Sequence, residues 1–130
     1  MIDIRGLLQT ALDTALYSEG IFSYWNRKAE TTGADPDEYI VYTLAGDSPE
    51  THADNSPLVM SASVTVRYYY RDTLLDTHAG RQRVKQHEDL IATTLKTAGF
   101  SIPNGSFDAG DIENNGFGTI IFECEYWRVI

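Results

Sequence analysis

Residues 58–71 alternate without a break. Leu58, Met60, Ala62, Val64, Val66, Tyr68 and Tyr70 fall on one side, and Val59, Ser61, Ser63, Thr65, Arg67, Tyr69 and Arg71 on the other. A strand sends successive side chains to opposite faces, so this period of two specifies one apolar face and one largely polar face. That is the pattern of an antiparallel sheet covered on one side. At about 3.3 Å per residue the run spans roughly 45 Å, long for a strand in a domain of ordinary size. The strand is therefore expected to project past the core.

The rest of the chain supplies partners for that strand. Ile4, Leu7, Leu8, Ala11, Leu12, Ala15 and Leu16 recur at spacings of three and four, which predicts a helix over 2–19 with Asp3 as its cap and Gly20 as its stop. Val84, Ile91, Leu95 and Ala98 predict a second helix over 81–98, ended by Gly99. Ile21 to Trp25 and Glu38 to Ala45 are rich in β-branched and aromatic residues and read as strands. Phe100 and Ile102 suggest a short strand entry, and a last strand alternates from Gly118 to Trp127. Residues 26–37 and 103–116 read as polar loops, and 46–57 as an exposed loop or an extended hairpin tip. The order α-β-β-β-α-(β)-β predicts a single α+β domain over residues 1–130. Its antiparallel sheet of mixed strand lengths would carry both helices on one face, with extended loops or a hairpin.

Composition narrows the partners. With 19 Asp and Glu against 10 Lys and Arg, the net charge is −9. Clustered positive charge, needed to displace counterions from phosphates or to hold anionic lipid, is missing. The one cysteine, Cys124, cannot form an intrachain disulfide, which excludes a disulfide scaffold and favours a reducing compartment. Met1 to Arg5 has no long apolar run, so a secretory signal is not expected and the default location is the cytoplasm.

The search for chemistry finds little. His52 with Asp47, Glu50 and Asp54 is either a metal site or a solvated acidic loop, and no ligand pair has the i, i+4 or CxxC-like spacing that would favour the metal. No G-x-S-x-G elbow, HExxH helix or Walker loop is present. Cys124, mid-strand beside Ile120 and Phe122, is expected to be a buried structural residue. His78, Arg81, Arg83, Lys85 and His87 form a local basic stretch, expected to be a solvated face. No catalytic residue, cofactor or metal is assigned. Arg67, Tyr69 and Arg71, with Trp127 on the last strand, instead place Tyr and Arg on the open face of a sheet, as subunit interfaces do. On that placement Arg67→Glu or Tyr69→Ala weakens self-assembly more than folding.

The order of elements, the Tyr39-Ile40-Val41-Tyr42 segment, the Asp47-Ser48-Pro49 turn and the Ala53-Asp54-Asn55 loop together resemble the tail terminator, or tail-completion, proteins of long-tailed bacteriophages and prophages. The Val66-Arg67-Tyr68-Tyr69-Tyr70 strand end, the Ala98-Gly99-Phe100 helix end and the Gly116-Phe117-Gly118-Thr119 strand entry add to this, so that the resemblance runs from about residue 4 to 128. It implies a non-enzymatic assembly protein. Copies would form a ring, usually of six, that caps the tail tube, stops its polymerisation and meets the head–neck connector, in the virion tail and after assembly in the bacterial cytoplasm. The expected partners are a second copy, the major tail tube protein and the neck, with DNA passing through unbound. In such a ring Asp47, Glu50, Asp54, Asp108, Asp111 and Glu113 would make loop contacts or line the channel. The alternative is a head–tail adaptor or other neck or minor tail component, and a small metal-dependent hydrolase stands further off.

Overall fold

The computed structural model describes residues 3–29, 36–53 and 56–129, with the backbone alone for 45–53, 56–61 and 127–129. Two helices, α1 (Ile4–Leu16) and α2 (His78–Thr97), accompany six strands: β1 (Phe22–Trp25), β2 (Glu38–Ala53), β3 (Ser56–Arg71), β4 (Phe100–Ser101), β5 (Ser106–Gly110) and β6 (Phe117–Val129). The strands form one sheet in the order β1-β2-β3-β6-β4, with β5 also paired to β6. The fold is α+β. No helix among the described residues is long and apolar enough to cross a membrane.

Both helices obey their sequence signals. The Asp3 carboxylate accepts from the Gly6 amide at 3.1 Å, and Thr77 Oγ1 caps α2 through the Gly80 amide at 3.0 Å. The chain passes Gly20 and Gly99 with φ of 76° and 101°, the left-handed conformation that ends a helix. Ile4, Leu8, Leu12 and Leu16 of α1, with Val84, Ile91 and Leu95 of α2, are buried against one face of the sheet. That face consists of Ile40, Tyr42, Ala62, Val64, Val66, Tyr68, Tyr70, Ile120, Phe122 and Cys124. Gly118 belongs to it for lack of a side chain, because the Tyr70 ring occupies the space a Cβ would take.

Three features differ from the sequence expectation, and one open alternative is decided. The sheet is mixed, because β1 runs parallel to β2, with Phe22 opposite Tyr39 and Trp25 opposite Tyr42. The connection over residues 26–37 is about the dozen residues such a crossover needs. The second helix starts at His78, three residues before the first Arg of the basic stretch, because Thr77 caps it. The segment 103–116, expected to be loop throughout, contains β5, since Ser106, Phe107 and Asp108 pair with Phe122, Ile121 and Ile120. Most of 46–57 is paired strand, so of the two readings for that segment the extended hairpin is the one observed.

The hairpin is long. β2 and β3 pair from Glu38–Tyr70 to Ala53–Ser56, and β6 lines the other side of β3 from Phe117–Arg71 to Val129–Val59. Among the residues whose side chains are described, the helix-covered core reaches Leu44 on β2 and Ala62 on β3. Beyond them the three strands continue as an arm.

Candidate functional site

The sheet face opposite the helices carries Arg67 and Tyr69, two of the residues expected at an interface. Register places Tyr24, Val41, Arg67, Ile121 and Phe107 in one row across five strands. Phe22, Tyr39, Tyr69 and Thr119 form the next. Arg67 is exposed, as anticipated. Tyr69 is not: it is 7% exposed and belongs to a second apolar cluster with Tyr39, Val41 and Phe117, against which Tyr24 packs. Alternation placed Tyr69 on the correct side of the strand, but that side is covered. The Lys28 ammonium lies over the Tyr39 ring at 5.7 Å. Glu113 reaches the Tyr69 hydroxyl from the turn after β5, and Arg67 bonds it from two residues away. Burial, reinforced by the Glu113 carboxylate, raises the Tyr69 phenol above its ordinary value.

Arg71 is half-buried and engaged rather than presented to a partner. Its Nε donates to Asp37 Oδ1 at 2.9 Å, and its guanidinium lies 4.8 Å from the centre of the Phe117 ring. Trp127 lies on β6 opposite Ser61, where the backbone alone is described.

The basic stretch is a solvated face for the most part, as expected: His78, Arg81, Arg83 and Lys85 are exposed, and among the five the exception is His87. His87 is buried. Arg81 donates through Nε to the Leu75 carbonyl at 2.6 Å, and Lys85 pairs with Asp89 at 3.2 Å. Arg83 and His87 converge on Glu38, a carboxylate only 3% exposed at the start of β2. Glu38 accepts from the Tyr68 hydroxyl at 2.5 Å, from Arg83 Nε at 2.6 Å and from His87 Nδ1 at 2.5 Å. An ionised carboxylate only accepts, so His87 must carry its hydrogen on Nδ1. Burial alone would raise the Glu38 carboxyl, but the bonds from His87, Tyr68 and Arg83 outweigh it and hold it below its ordinary value. This network ties α2 to β2 and β3 through side chains that satisfy one another, which marks it as a structural lock. Sequence reasoning missed it because Glu38 stands 49 residues from His87 and no local spacing links them.

The acidic residues divide into two groups. Asp108 accepts from the Tyr70 hydroxyl at 3.0 Å and from the Gly110 amide at 2.9 Å. Asp111 accepts from the amides of Asn115 and Gly116, each at 3.0 Å, closing the turn before β6. With Glu113 on Tyr69, the three acids of this second segment hold the fold together. Asp47 and Glu50 lie on the arm, where side chains are not described, and Asp54 lies outside the described residues. His52 is also on the arm. Among the described residues no three His, Cys, Asp or Glu side chains come together to hold a metal ion. Cys124 is buried, and burial pushes its thiol up to about 12, which leaves it a neutral core residue.

Where β1 ends, the sheet has a step. Asn26 adopts a left-handed φ of 67°, its amide donates to the Tyr42 carbonyl at 2.9 Å, and the chain then leaves the sheet. From Thr43 onward β2 has β3 on one side and no strand on the other among the described residues. A cleft of about 450 Å³ lined by Trp25, Arg27, Lys28 and Ala29 flanks this step. Trp25 is 50% exposed, and the Arg5 guanidinium covers its ring at 4.0 Å. Phe22 and Tyr17, joined edge-to-face at 5.3 Å, are exposed along the same border. These aromatics were not singled out from the sequence. Residues 21–25 read simply as a short strand, and only the sheet order makes it an edge.

No protein-family model matches the chain, and no curated protein matches it.

Proposed function

We propose that this chain is a structural assembly protein of a long-tailed phage or prophage. Its copies form a ring, usually of six, that terminates the tail tube and joins it to the head–neck connector. The observation that carries this reading is the arm. Strands β2 and β3 remain paired to Ala53 and Ser56, with β6 alongside to Val129, well past the last described core side chains, Leu44 and Ala62, and an extension of so few strands is marginal in water unless a hydrophobic face of it is packed. Such an arm is useful when a neighbouring molecule packs along it.

The site chemistry agrees with assembly rather than turnover. Tyr68, Arg83 and His87 are all taken up by bonds to the buried Glu38 carboxylate inside the fold. The exposed aromatics and Arg67 lie on sheet edges and the open face, where interfaces draw on such residues. The net charge of −9 suits a conduit that DNA crosses without adhering.

The test is the solution mass of the purified chain, alone and mixed with tail tubes, joined to electron micrographs of the tube ends. A ring on the tube end and arrested tube growth are expected. A chain that remains monomeric and leaves tube length unchanged removes the proposal.

A further inference from the structure

The large apolar side chains left exposed among the described residues are not scattered over the surface. Tyr17, Phe22 and Trp25 lie at the β1 end of the sheet, and Phe107 and Ile112 at the β5 end. Exposed apolar residues dispersed singly need no explanation, but their confinement to the two ends of one sheet does. These ends are also the margins where, among the described residues, the outermost strand has a neighbour on one side only. Phe107 closes on β5 the cross-sheet row that Tyr24 opens on β1, so both ends present an aromatic ring at the same level of the open face.

The two ends carry opposite charge. Residues 20–29, which contain β1, include Arg27 and Lys28 and no acid, and the Arg5 guanidinium lies over Trp25. At the start of β1, Asp13 lines a cleft with Phe22 and accepts from Gln9 at 3.0 Å, so the basic character belongs to the other end of the strand, around Trp25. Residues 97–127, which contain β4, β5 and most of β6, include five acids and neither Lys nor Arg. Asp108 and Asp111 are exposed there, and their bonds come from the Tyr70 hydroxyl and from backbone amides, donors that carry no charge.

We propose that the two ends of the sheet are the two halves of a contact between copies of this chain. The β1 end of one copy, with Phe22, Trp25 and Arg27, packs against the β5 end of the next, with Phe107, Asp111 and Ile112. This rests on the ring reading above and deepens it by naming the halves of the joint. Because the halves differ, the contact is head-to-tail, and repeating it closes a ring or extends a filament. Aromatic rings and Arg are the residues interface centres draw on, and the opposite charges set which end meets which. Pairing two β1 ends would set Arg27 against its own copy, and pairing two β5 ends would set acid against acid. Side chains make the joint, since Gln9 Nε2 already holds the Ser23 carbonyl of β1 at 3.1 Å.

The full-length chain tests this with tail tubes present and absent. With Phe107 replaced by the photoreactive p-benzoylphenylalanine, irradiation is expected to give a covalent ladder beyond the dimer. Mass spectrometry should place the new bond in the tryptic peptide from Gly6 to Arg27, which contains β1. Trp25→Ala and Phe107→Ala are each expected to weaken association about tenfold or more, the effect of losing one interface anchor. Both side chains are half-exposed, and an unchanged melting temperature confirms that each variant is folded. If the parent chain assembles but both alanine variants assemble equally well, or no cross-link to β1 forms, the joint is elsewhere and only this proposal falls. A cross-link to the β5 end of another copy overturns the head-to-tail pairing, and one to the tube protein overturns the second-copy assignment. A parent chain that never assembles, even on tubes, removes both readings.

Discussion

Tyr39 and Tyr69 stand directly opposite each other on β2 and β3, with rings stacked at 4.8 Å and 14° on the sheet face that no helix covers. Phe117 meets Tyr39 edge-on at 5.4 Å, and Tyr24 does so at 6.5 Å from the other side. A single-layer face thereby acquires a small core of its own, closed by Lys28 and Glu113. Aromatic pairs in these geometries contribute about 0.5–1.5 kcal/mol beyond the area they bury.

This reverses one expectation about Tyr69. Tyr69→Ala should lower stability by about 3 kcal/mol, the range for removing a buried aromatic ring. Tyr69→Phe should cost much less, because the ring remains. Arg67→Glu, at an exposed position of the same strand, should change stability by under about 1 kcal/mol. Urea unfolding of the three variants measures the order, and an Arg67→Glu loss equal to that of Tyr69→Ala would contradict the assignment of faces.

The Glu38 lock predicts an acid limb in the stability profile. The folded state holds this carboxyl below its ordinary value, so the folded state gives up the proton more readily than the unfolded chain. Its contribution is fully present above the ordinary glutamate value, roughly 4.3. It is lost as pH falls below that and through the lower folded-state value. Glu38→Gln should flatten this limb. Glu38→Ala should be worse at pH 7, costing about 3 kcal/mol or more, because it strands His87 and Arg83 without their acceptor. Melting temperatures from pH 7 to pH 3 decide the matter, and an unchanged acid limb in Glu38→Gln would count against it.

Cys124 should be silent toward thiol reagents in the native protein. Its thiol is buried and raised to about 12, so almost none is thiolate at pH 8. Labelling with an aromatic disulfide should proceed only after denaturant unfolds the chain. Rapid labelling of the folded protein would place Cys124 elsewhere.

Thr119 offers a stabilising change. Its side chain is fully buried in β6, and its hydroxyl has no hydrogen-bond partner among the described residues. Thr119→Val removes that unpaired polar atom, keeps the branched shape and suits a strand. Stability should rise by about 1 kcal/mol, read from the denaturation midpoint at constant slope. A fall of that size would mean that the hydroxyl is bonded.

The sequence made the helix-covered side legible because its signals are periodic. Ile4, Leu8, Leu12 and Leu16 announce α1 at a spacing of four, and Ala62 to Tyr70 announce the core face of β3 at a spacing of two. The open face resisted the same reasoning. Tyr69 and Thr119 have the periodicity of exposed residues, yet both are buried, Tyr69 in a cluster with Tyr39, Val41 and Phe117 from other parts of the chain and Thr119 opposite it on β6. Phe107 and Asp108 looked like loop because their short strand is defined by β6 and by the Tyr70 hydroxyl rather than by local pattern. The step was invisible for a different reason. Trp25 marks an edge only once β1 is known to stop opposite Tyr42, a fact of strand order and not of composition.

The two sides of β3 keep different measures. Toward β6 the register runs unbroken from Arg71–Phe117 to Val59–Val129, whereas toward β2 it slips after Leu44, after Pro49 and again after Thr51. A ribbon whose margins differ in residue count cannot lie flat, and it bends as a bimetal strip does. The bow of the arm is thus fixed by counting along the backbone, independent of any charge.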